Sequence, residues 1–269
     1  MKHACTLLLT LLLLPAGVFA HAASRPAPKE DSATRQIVLL RHGESVWNKE
    51  DRFTGWSEPP LTDKGIAGAL KAGELLKREG FTFDAVHTSY LSRAIKTTWL
   101  ALEGMDLLWI PVRTDWRLNE RCYGDLEGKT RQEAAAASSP EQVHIWRRSF
   151  DIAPPPLADN DPRSPAQDPK YRAVPRDKLP RSESLKDTIA RTKPYWKRVL
   201  APALRSGKNI LVVGHNTSLR ALSKCIDEAL GEKDLEKLEL PNTTPVVYTL
   251  DANLKPISRR VLGESGKPQ

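Results

Sequence analysis

Short apolar runs that end in charged or small residues recur along this chain and predict the strands of a sheet. The run Ile37-Val38-Leu39-Leu40 is continuous in apolar residues and then breaks into Arg, His and Gly. A run of this length and composition is typical of a strand that is buried on both faces. Runs of this kind predict strands over residues 36–41, 83–89, 109–112, 209–213, 246–250 and 256–261.

The stretches between these runs have the spacing of amphipathic helices. Thr62 stands at the N-cap of one helix and Gly80 just past its end, with apolar residues three and four positions apart between them. Further helices are predicted over 91–102, 132–138, 141–150, 183–204 and 217–230, and Pro194 is expected to kink one of them. Alternating strands and helices predict an α/β fold, a three-layer α/β/α sandwich with a mostly parallel sheet.

Residues 153–180 interrupt this alternation. The stretch APPPLADNDPRSPAQDPKYRAVPRDKLP is rich in Pro and charge. It is not expected to form a regular element, because Pro lacks an amide hydrogen and fixes φ. A long irregular segment in a compact domain is usually functional or disordered. We interpret residues 130–180 as an insertion that lies over one edge of the sheet.

The first residues differ from the rest of the chain. A short basic start precedes a Leu-rich run, and Val18-Phe19-Ala20 has the spacing of a signal-peptidase site, with His21-Ala22-Ala23 as a second candidate. The apolar run is too short to span a membrane comfortably. This pattern predicts a signal peptide over residues 1–20, a flexible lead over 21–35 and one domain over 36–269. Export to the periplasm or the medium is expected, with no membrane attachment after cleavage; an uncleaved anchoring start is the alternative.

Composition narrows the class of partner. The 269 residues carry a formal net charge of +8, and their Lys and Arg residues are scattered rather than grouped. This distribution suits a small polyanionic substrate and does not indicate nucleic acid. After signal cleavage only Cys122 and Cys225 remain, so there is no disulfide framework, although one bridge between them stays open.

Polar side chains follow the predicted strands where the chain leaves the sheet. Arg41 and His42 come at the end of the first strand, Arg93 follows the second, and His215 follows the strand at 209–213. Because the carboxyl ends of parallel strands meet at one edge, we expect these side chains to lie together, with Glu120 close by. Taken singly, each has a simpler interpretation as a structural His or a surface Arg.

Two His and two Arg in one place fit phosphoryl transfer. An imidazole nitrogen attacks phosphorus at neutral pH, and a covalent intermediate divides one displacement into two. Arg binds the charged phosphoryl group, a second, protonated His shares its oxygens, and Glu120 can protonate the leaving oxygen. Gly43 is expected to leave room for approach to the nucleophile. The sequence has no cluster with metal-ligand spacing, and we predict no metal.

Six stretches of the sequence, taken together, resemble one known family. They are LLRHGESVWNKEDRFTGWSEPPLTDKG, TSYLSRAIKT, LNERCYGDLEGKT, WRRSF, SESLKDTIARTKPYW and GHNTSLRAL. In this order they resemble the 2,3-bisphosphoglycerate-dependent phosphoglycerate mutases of the histidine phosphatase superfamily, over residues 37–262. The resemblance implies an enzyme that interconverts 2-phosphoglycerate and 3-phosphoglycerate through a phosphohistidine, with 2,3-bisphosphoglycerate as its phosphoryl primer.

The resemblance also implies roles for individual positions. His42 would be the phosphorylated nucleophile, Glu120 the proton donor and acceptor, and His215 the group that stabilises the transition state. The implied substrate-binding residues are Arg41, Asn48, Thr54, Gly55, Arg93, Tyr123, Arg131, Arg147, Arg148, Asn216 and Thr217. Arg147 and Arg148 would hold the far anionic end of a small phosphorylated glycerate from a lid that excludes water. A solvated helix face is the alternative for these two arginines.

Some positions depart from the family pattern. Cys122 stands where the family usually has His, Arg131 where Lys is expected, and Asn216-Thr217 in place of Gly-Asn. The chain also ends soon after its last strand, and a signal peptide is unexpected for cytoplasmic glycolytic or gluconeogenic chemistry. Two alternatives stay open: an exported phosphatase acting on small phosphoesters, and an exported binding protein without turnover. The oligomeric state is also open, a homodimer included.

Overall fold

The computed structural model describes residues 34–263 together with Met1. The chain divides into two units, Met1–Asp31 and Ser32–Gln269, and every described helix and strand belongs to the second. The predicted signal peptide and nearly all of the predicted lead lie outside the described residues and stay predictions. Within residues 34–263, no helix combines the length and the apolar content needed to cross a membrane.

One six-stranded sheet is at the centre of the described unit, with strand order β3-β2-β4-β1-β5-β6. The strands are β1 (Arg35–Arg41), β2 (Ala85–Thr88), β3 (Val112–Thr114), β4 (Ile210–Gly214), β5 (Pro245–Leu250) and β6 (Pro256–Val261). Pairings among β1 to β4 are parallel, whereas β5 pairs antiparallel with both β1 and β6. The predicted mostly parallel sheet is confirmed, and the carboxyl ends of β2, β4 and β1 lie side by side.

Helices cover both faces of this sheet. They are α1 (Val46–Lys49), α2 (Asp63–Arg78), α3 (Ser92–Gly104), α4 (Arg131–Ala137), α5 (Pro140–Arg148), α6 (Leu185–Tyr195), α7 (Ala201–Arg205), α8 (Asn216–Ile226) and α9 (Glu232–Lys237). Along β1, Ile37 and Leu39 pack with residues of α6, α7 and α8, whereas Val38 and Leu40 pack with residues of α2 and α3. The strand is buried on both faces, which explains its continuous apolar run. The predicted three-layer sandwich is confirmed.

The strand predicted over 109–112 is wrong in position. The observed β3 begins only at Val112, which pairs with Val86 of β2. Trp109 is exposed, and Ile110 is buried in the core between α2, α3 and the sheet. The apolar character of this run therefore reflects one packed side chain in a connecting turn rather than a strand.

Two predicted helices are also shorter than expected. The helix predicted over 183–204 is divided, because a π-helical turn at Trp196–Leu200 follows Pro194 and separates α6 from α7. A proline cannot donate the amide hydrogen that a regular helix uses, and π-helical turns are one way to absorb the mismatch. The helix predicted over 217–230 ends at Ile226, and α9 follows as a separate element.

The Pro-rich segment after α5 is irregular, as predicted, but it is anchored. It contains short 3-10 turns at Pro165–Gln167, Pro169–Tyr171 and Arg176–Lys178. Tyr171 and Val174 pack into one apolar cluster with Trp56 and Trp116, and Asn119 donates to the Tyr171 hydroxyl at 2.9 Å. These contacts attach the segment to the loops at the carboxyl ends of the strands. Its action as a lid stays a prediction.

Candidate active site

The adjacent ends of β1 and β4 bring the two predicted histidines together. Arg41 is in register with Gly214, and the His42 amide donates to the Gly214 carbonyl oxygen at 2.9 Å. The ring centroids of His42 and His215 are 5.0 Å apart, and both side chains are buried. The parallel pairing of the two strands therefore places both imidazoles at one point of the sheet edge.

The hydrogen bonds of His42 leave its Nε2 as the nucleophilic atom. Nδ1 lies 2.7 Å from the Gly43 carbonyl oxygen, which can only accept, so Nδ1 carries the proton. Arg93 Nε donates to Nε2 at 3.3 Å, so Nε2 presents a lone pair. Burial, and then the charges of Arg93 and Arg41, hold the pKa of His42 well below its ordinary value. The ring is therefore neutral, which is the form that attacks phosphorus.

We expect the His42 ring to stay neutral well below the pH at which an ordinary imidazole gains its proton. Because a lowered pKa moves proton uptake to lower pH, the nucleophile persists through pH 6.5 instead of being half lost there. The measurement is a titration of the imidazole ¹⁵N chemical shifts in histidine-labelled protein, with the His42 signals identified by their absence in His42→Asn. A midpoint at or above pH 6.5 would mean that burial and the charges of the two arginines do not lower the pKa of this ring.

His215 follows β4 and precedes α8. Its Nε2 is 2.8 Å from Ser89 Oγ, and its Nδ1 is buried with no partner among the described residues. Burial, then the charges of Arg93, His42 and Arg41, lower the pKa of His215 well below its ordinary value. His215 is therefore neutral in the protein alone, because its surroundings oppose another positive charge, and a protonated His215 beside a bound phosphoryl group stays a prediction. A phosphoryl dianion between the two rings would act in the opposite direction.

Two buried arginines supply the positive charge of the site. Arg93, in the first turn of α3, donates to the carbonyl oxygens of Ser57 at 2.8 Å and Gly55 at 2.9 Å. Arg41 donates from Nη1 to the Leu240 carbonyl at 3.1 Å, and its Nε is buried without a partner among the described residues. Burial lowers the pKa of both, that of Arg93 to about 10, which leaves Arg93 charged at neutral pH. Such planar donors suit phosphoryl oxygens.

Glu120 lines a cavity that His42, Arg41 and Arg93 also line. Its Oε1 accepts from the amides of Arg121 at 2.7 Å and Thr217 at 3.1 Å, whereas Oε2 has only a 3.4 Å contact with the Thr217 amide. Thr217 is in the first turn of α8, so the amino end of this helix orients the carboxyl group. With Oε1 held by two amides, Oε2 is the oxygen available to carry a proton toward a leaving group.

One cavity of about 110 Å³ is lined by His42, Arg41, Arg93 and Glu120, whereas His215 is not among its lining residues. Its lining residues are Arg41, His42, Asn48, Arg52, Phe53, Thr54, Arg93, Glu120, Tyr123, Arg131, Arg147 and Asn216. Arg131 comes from α4 and Arg147 from α5, and burial followed by the charge of Arg131 lowers the pKa of Arg147. The cavity thus brings together most of the implied substrate residues, and it adds Arg52 and Phe53.

Three of the implied substrate residues do not line this cavity. Gly55 gives its carbonyl to Arg93 and Thr217 its amide to Glu120, so both support residues that do line it. Arg148 instead donates to the Glu236 carbonyl at 3.2 Å and pairs with the Glu239 carboxylate at 3.1 Å. Successive residues of a helix point about 100° apart, so Arg147 and Arg148 do not face one ligand together here. Of the predicted pair, only Arg147 lines the cavity, and a role of Arg148 in binding substrate stays a prediction.

Gly43 has a different role from the one predicted. A Cβ at this position would lie 2.3 Å from the Gly65 carbonyl oxygen in α2, so the missing side chain permits close packing against that helix. Gly55 has a φ of +51°, and a Cβ there would lie 1.9 Å from the Glu127 carboxylate. Both glycines let the loops that carry His42 and Thr54 lie against their supports.

Sequence reasoning missed the buried charged residues that hold these loops. The Glu127 carboxylate accepts from the amides of Trp56 at 3.1 Å and Tyr123 at 3.0 Å, and burial raises its pKa. Glu183 and Arg191 form a second buried group on the α6 side of the site. A lone Glu or Arg in the sequence resembles a solvated surface residue, so only the tertiary contacts separate these residues from their neighbours.

The described His, Cys and carboxylate side chains form neither a metal-binding group nor a disulfide. Among residues 34–263, no three His, Cys, Asp or Glu side chains are grouped so that they could hold a metal ion. Metal-free chemistry stays a prediction. Cys122 and Cys225 are both free and buried, so the bridge that the sequence left open is not formed. Burial raises the pKa of both thiols, that of Cys225 to about 12, and neither is a reactive thiolate.

Comparison with known families agrees with this geometry. The model of the histidine phosphatase superfamily (branch 1) matches residues 37–167 and 156–260, which is most of the chain. The chain belongs to this superfamily. Histidine phosphatases include phosphatases and phosphotransferases, so the superfamily accounts for the histidine and arginine cluster without deciding where the phosphoryl group goes.

Solved structures share the fold of this histidine phosphatase. They include the mycobacterial glucosyl-3-phosphoglycerate phosphatase, at 22% identity and a TM-score of 0.61, over 80% of this chain and 92% of that chain. The alpha-ribazole phosphatase from Shigella flexneri is similar at 21% identity and a TM-score of 0.60, with 82% and 93% covered. The phosphoglycerate mutase from Bacillus anthracis is similar at 24% identity and a TM-score of 0.56, with 81% and 89% covered. At these identities the similarity shows the fold alone.

Proposed function

We propose that this protein is a phosphoglycerate mutase that interconverts 2-phosphoglycerate and 3-phosphoglycerate through a phosphohistidine at His42. The proposal depends on one observation: a single small cavity has His42, Arg41 and Arg93 in its wall together with Arg131 and Arg147 from α4 and α5. A phosphoglycerate carries both a phosphoryl group and a carboxylate. Positive charge from separate elements in one cavity suits a small molecule with two anionic groups.

The residues present fit a phosphoryl primer. Arg41 Nε and His215 Nδ1 are buried without partners among the described residues, and buried polar atoms are normally satisfied in a working site. Oxygens of a phosphoryl group held between the two histidines would satisfy them. When bound, 2,3-bisphosphoglycerate supplies the phosphoryl group that His42 takes up.

In the first half-reaction, the lone pair of His42 Nε2 forms a bond to phosphorus as the bond from phosphorus to the glycerate oxygen breaks. The Glu120 carboxylic acid gives its proton to that leaving oxygen and becomes a carboxylate. Arg41, Arg93 and His215 donate to the phosphoryl oxygens, whose charge is largest in the transition state. Gly43 O keeps the proton on Nδ1, so that Nε2 stays the attacking atom.

In the second half-reaction, the free hydroxyl of a bound phosphoglycerate gives its proton to the Glu120 carboxylate. The hydroxyl oxygen attacks phosphorus and the bond to Nε2 breaks, which forms a bisphosphoglycerate and returns His42 and Glu120 to their first state. The first half-reaction on the other phosphoryl group of this bisphosphoglycerate then completes the interconversion. Arg131, Arg147 and Asn48 would hold the glycerate during this exchange. A ligand that stays bound keeps the phosphohistidine away from water.

One structural observation favours a second function, a phosphatase acting on small phosphoesters. Arg148 is engaged with Glu239, and Arg131 pairs with Asp51 at 2.8 Å, so fewer free cations face the cavity than the mutase resemblance implies. A weaker hold on the glycerate would let water receive the phosphoryl group from His42. The names of the similar mycobacterial and Shigella flexneri proteins, both phosphatases, also support this candidate.

Product analysis separates the two functions. Mature protein is incubated with 3-phosphoglycerate, with and without 2,3-bisphosphoglycerate, and both 2-phosphoglycerate and free phosphate are followed over time. A mutase gives 2-phosphoglycerate at a rate that depends on the bisphosphate, with little free phosphate. Release of phosphate alone, independent of the bisphosphate, would contradict the mutase proposal and support the phosphatase.

The partners and location follow from the sequence and belong to the proposal. The proposed partner is a small phosphorylated glycerate, and nucleic acid is not a proposed partner. Export rests on the signal peptide predicted over residues 1–20, and a homodimer stays open. An exported mutase would need its substrate outside the cytoplasm, which is a further reason to measure both products.

A further inference from the structure

A buried ion pair lies beside the backbone that presents Glu120. Arg191 is in α6 and Glu183 lies just before this helix; their side chains are 8% and 4% exposed. Arg191 Nε lies 2.6 Å from Glu183 Oε1, and Nη2 lies 2.9 Å from Oε2. This two-bond geometry fixes the plane of the guanidinium group.

The remaining donors of Arg191 reach three main-chain carbonyls around Glu120. Nη1 donates to the Arg117 carbonyl at 2.7 Å. Nη2, which also bonds Glu183 Oε2, shares its two hydrogens with the carbonyl oxygens of Asn119 at 2.9 Å and Glu120 at 2.8 Å. On the other side of Glu120, Glu183 Oε2 accepts from the backbone amide of residue 122 at 2.9 Å. The pair therefore holds the chain on both sides of the proposed proton donor.

The Arg191–Glu183 ion pair is not expected to contribute much to the stability of the fold. Removing a guanidinium and a carboxylate from water costs about as much free energy as their attraction returns. The bonds to main-chain atoms instead fix the position of a segment outside the sheet, from which the Glu120 side chain extends. Neither Arg191 nor Glu183 lines the cavity, so any effect of the pair on the chemistry passes through Glu120 or through charge.

We propose that Arg191, locked in place by Glu183, is a positioning residue that directs the Glu120 carboxyl group toward the leaving oxygen. This inference rests on the proposed function, in which Glu120 protonates that oxygen. Because misplacement of a reacting group by about 1 Å can cost 10²-fold in rate, a loosened segment should slow the proton-dependent step. Steps that need no proton should be spared.

The experiment compares two phosphoryl donors in single-turnover formation of phosphohistidine. With 2,3-bisphosphoglycerate the leaving group is an alkoxide and needs a proton, whereas with acetyl phosphate a carboxylate leaves without one. Arg191→Lys keeps the positive charge but loses the planar set of donors. We expect Arg191→Lys to slow labelling by 2,3-bisphosphoglycerate about tenfold to a hundredfold and to leave labelling by acetyl phosphate unchanged.

Matched variants make the result interpretable. Glu183→Gln keeps the size of the side chain but removes the carboxylate that holds the Arg191 guanidinium. This variant should show the same dependence on the phosphoryl donor as Arg191→Lys. It also takes the place of Arg191→Lys if that variant does not fold. Arg198→Lys, at an exposed arginine in the π-helical turn, should behave as wild type. Circular dichroism melts show whether each variant is folded.

Two outcomes would overturn the positioning role. Equal slowing with both donors would show a general structural defect, and normal labelling with both would show no effect on Glu120. Glu120→Gln supplies the reference, since it should lose labelling by 2,3-bisphosphoglycerate selectively. If labelling of Glu120→Gln does not depend on the phosphoryl donor, the proposed role of Glu120 is wrong. If Glu120→Gln shows this dependence but the Arg191 and Glu183 variants do not, only the positioning inference is wrong.

Discussion

Replacement of His42 by Asn is expected to abolish the phosphoenzyme and to lower turnover by about 10³-fold or more, as removal of a covalent nucleophile does in other enzymes. Asn can still donate to the Gly43 carbonyl, so the loop keeps its bond, but it has no nitrogen lone pair that attacks phosphorus. The direct measurement is acid-labile, base-stable phosphate on the protein after rapid quenching, followed together with product formation.

The control for this variant is His144→Asn, since His144 has an exposed side chain in α5 and does not line the cavity. It should label and turn over as wild type does. Undiminished labelling of His42→Asn would mean that another residue receives the phosphoryl group, and the tautomer assignment at Nε2 would then lose its functional meaning.

Replacement of Glu120 by Gln is expected to slow transfer from an alkyl phosphoester by about 10²- to 10⁴-fold, the usual contribution of general acid–base catalysis. The Gln carbonyl oxygen can accept from the Arg121 and Thr217 amides in place of Oε1, so the side chain stays where it is. It has no proton to give to the leaving oxygen. The measurement is the rate of phosphohistidine formation from 2,3-bisphosphoglycerate as a function of pH.

The folded state distinguishes chemistry from disturbed structure. Glu120→Gln should lose rate at every pH measured, while its circular dichroism spectrum stays that of the wild-type protein. Glu103→Gln, at an exposed glutamate of α3, is the matched control and should keep the wild-type rate and profile. A wild-type rate in Glu120→Gln would mean that the leaving oxygen takes its proton from another source.

The pattern of apolar residues was sufficient to predict the strands that are completely buried. β1 and β4 are buried on both faces, and a strand with no exposed face must be apolar at every position, so both appear in the sequence as continuous runs. The same pattern did not locate β3, which is an edge strand of three residues with two exposed positions. A partly exposed strand need not be apolar, and the nearby Ile110 gave a false signal because it packs from a turn.

The residues of the site likewise include some that the sequence could predict and some that it could not. Arg41, His42, Arg93 and His215 could be placed together in advance, because each follows a strand and parallel strands end at one edge. The direction of a side chain around a helix axis is not visible in a motif. Arg148 therefore seemed to belong with Arg147, and Gly43 seemed to clear a path to the nucleophile, although it packs against Gly65.

By itself, then, the sequence determined most of the strands and helices and the chemical groups at their ends, because burial and chain direction are reflected in local patterns of residues. The tertiary structure decided which nitrogen of His42 is free, which arginine faces the cavity, and that Arg191 and Glu183 hold the backbone of Glu120. These features depend on contacts between residues far apart in the chain. Their geometry is set only when the separate elements pack against one another.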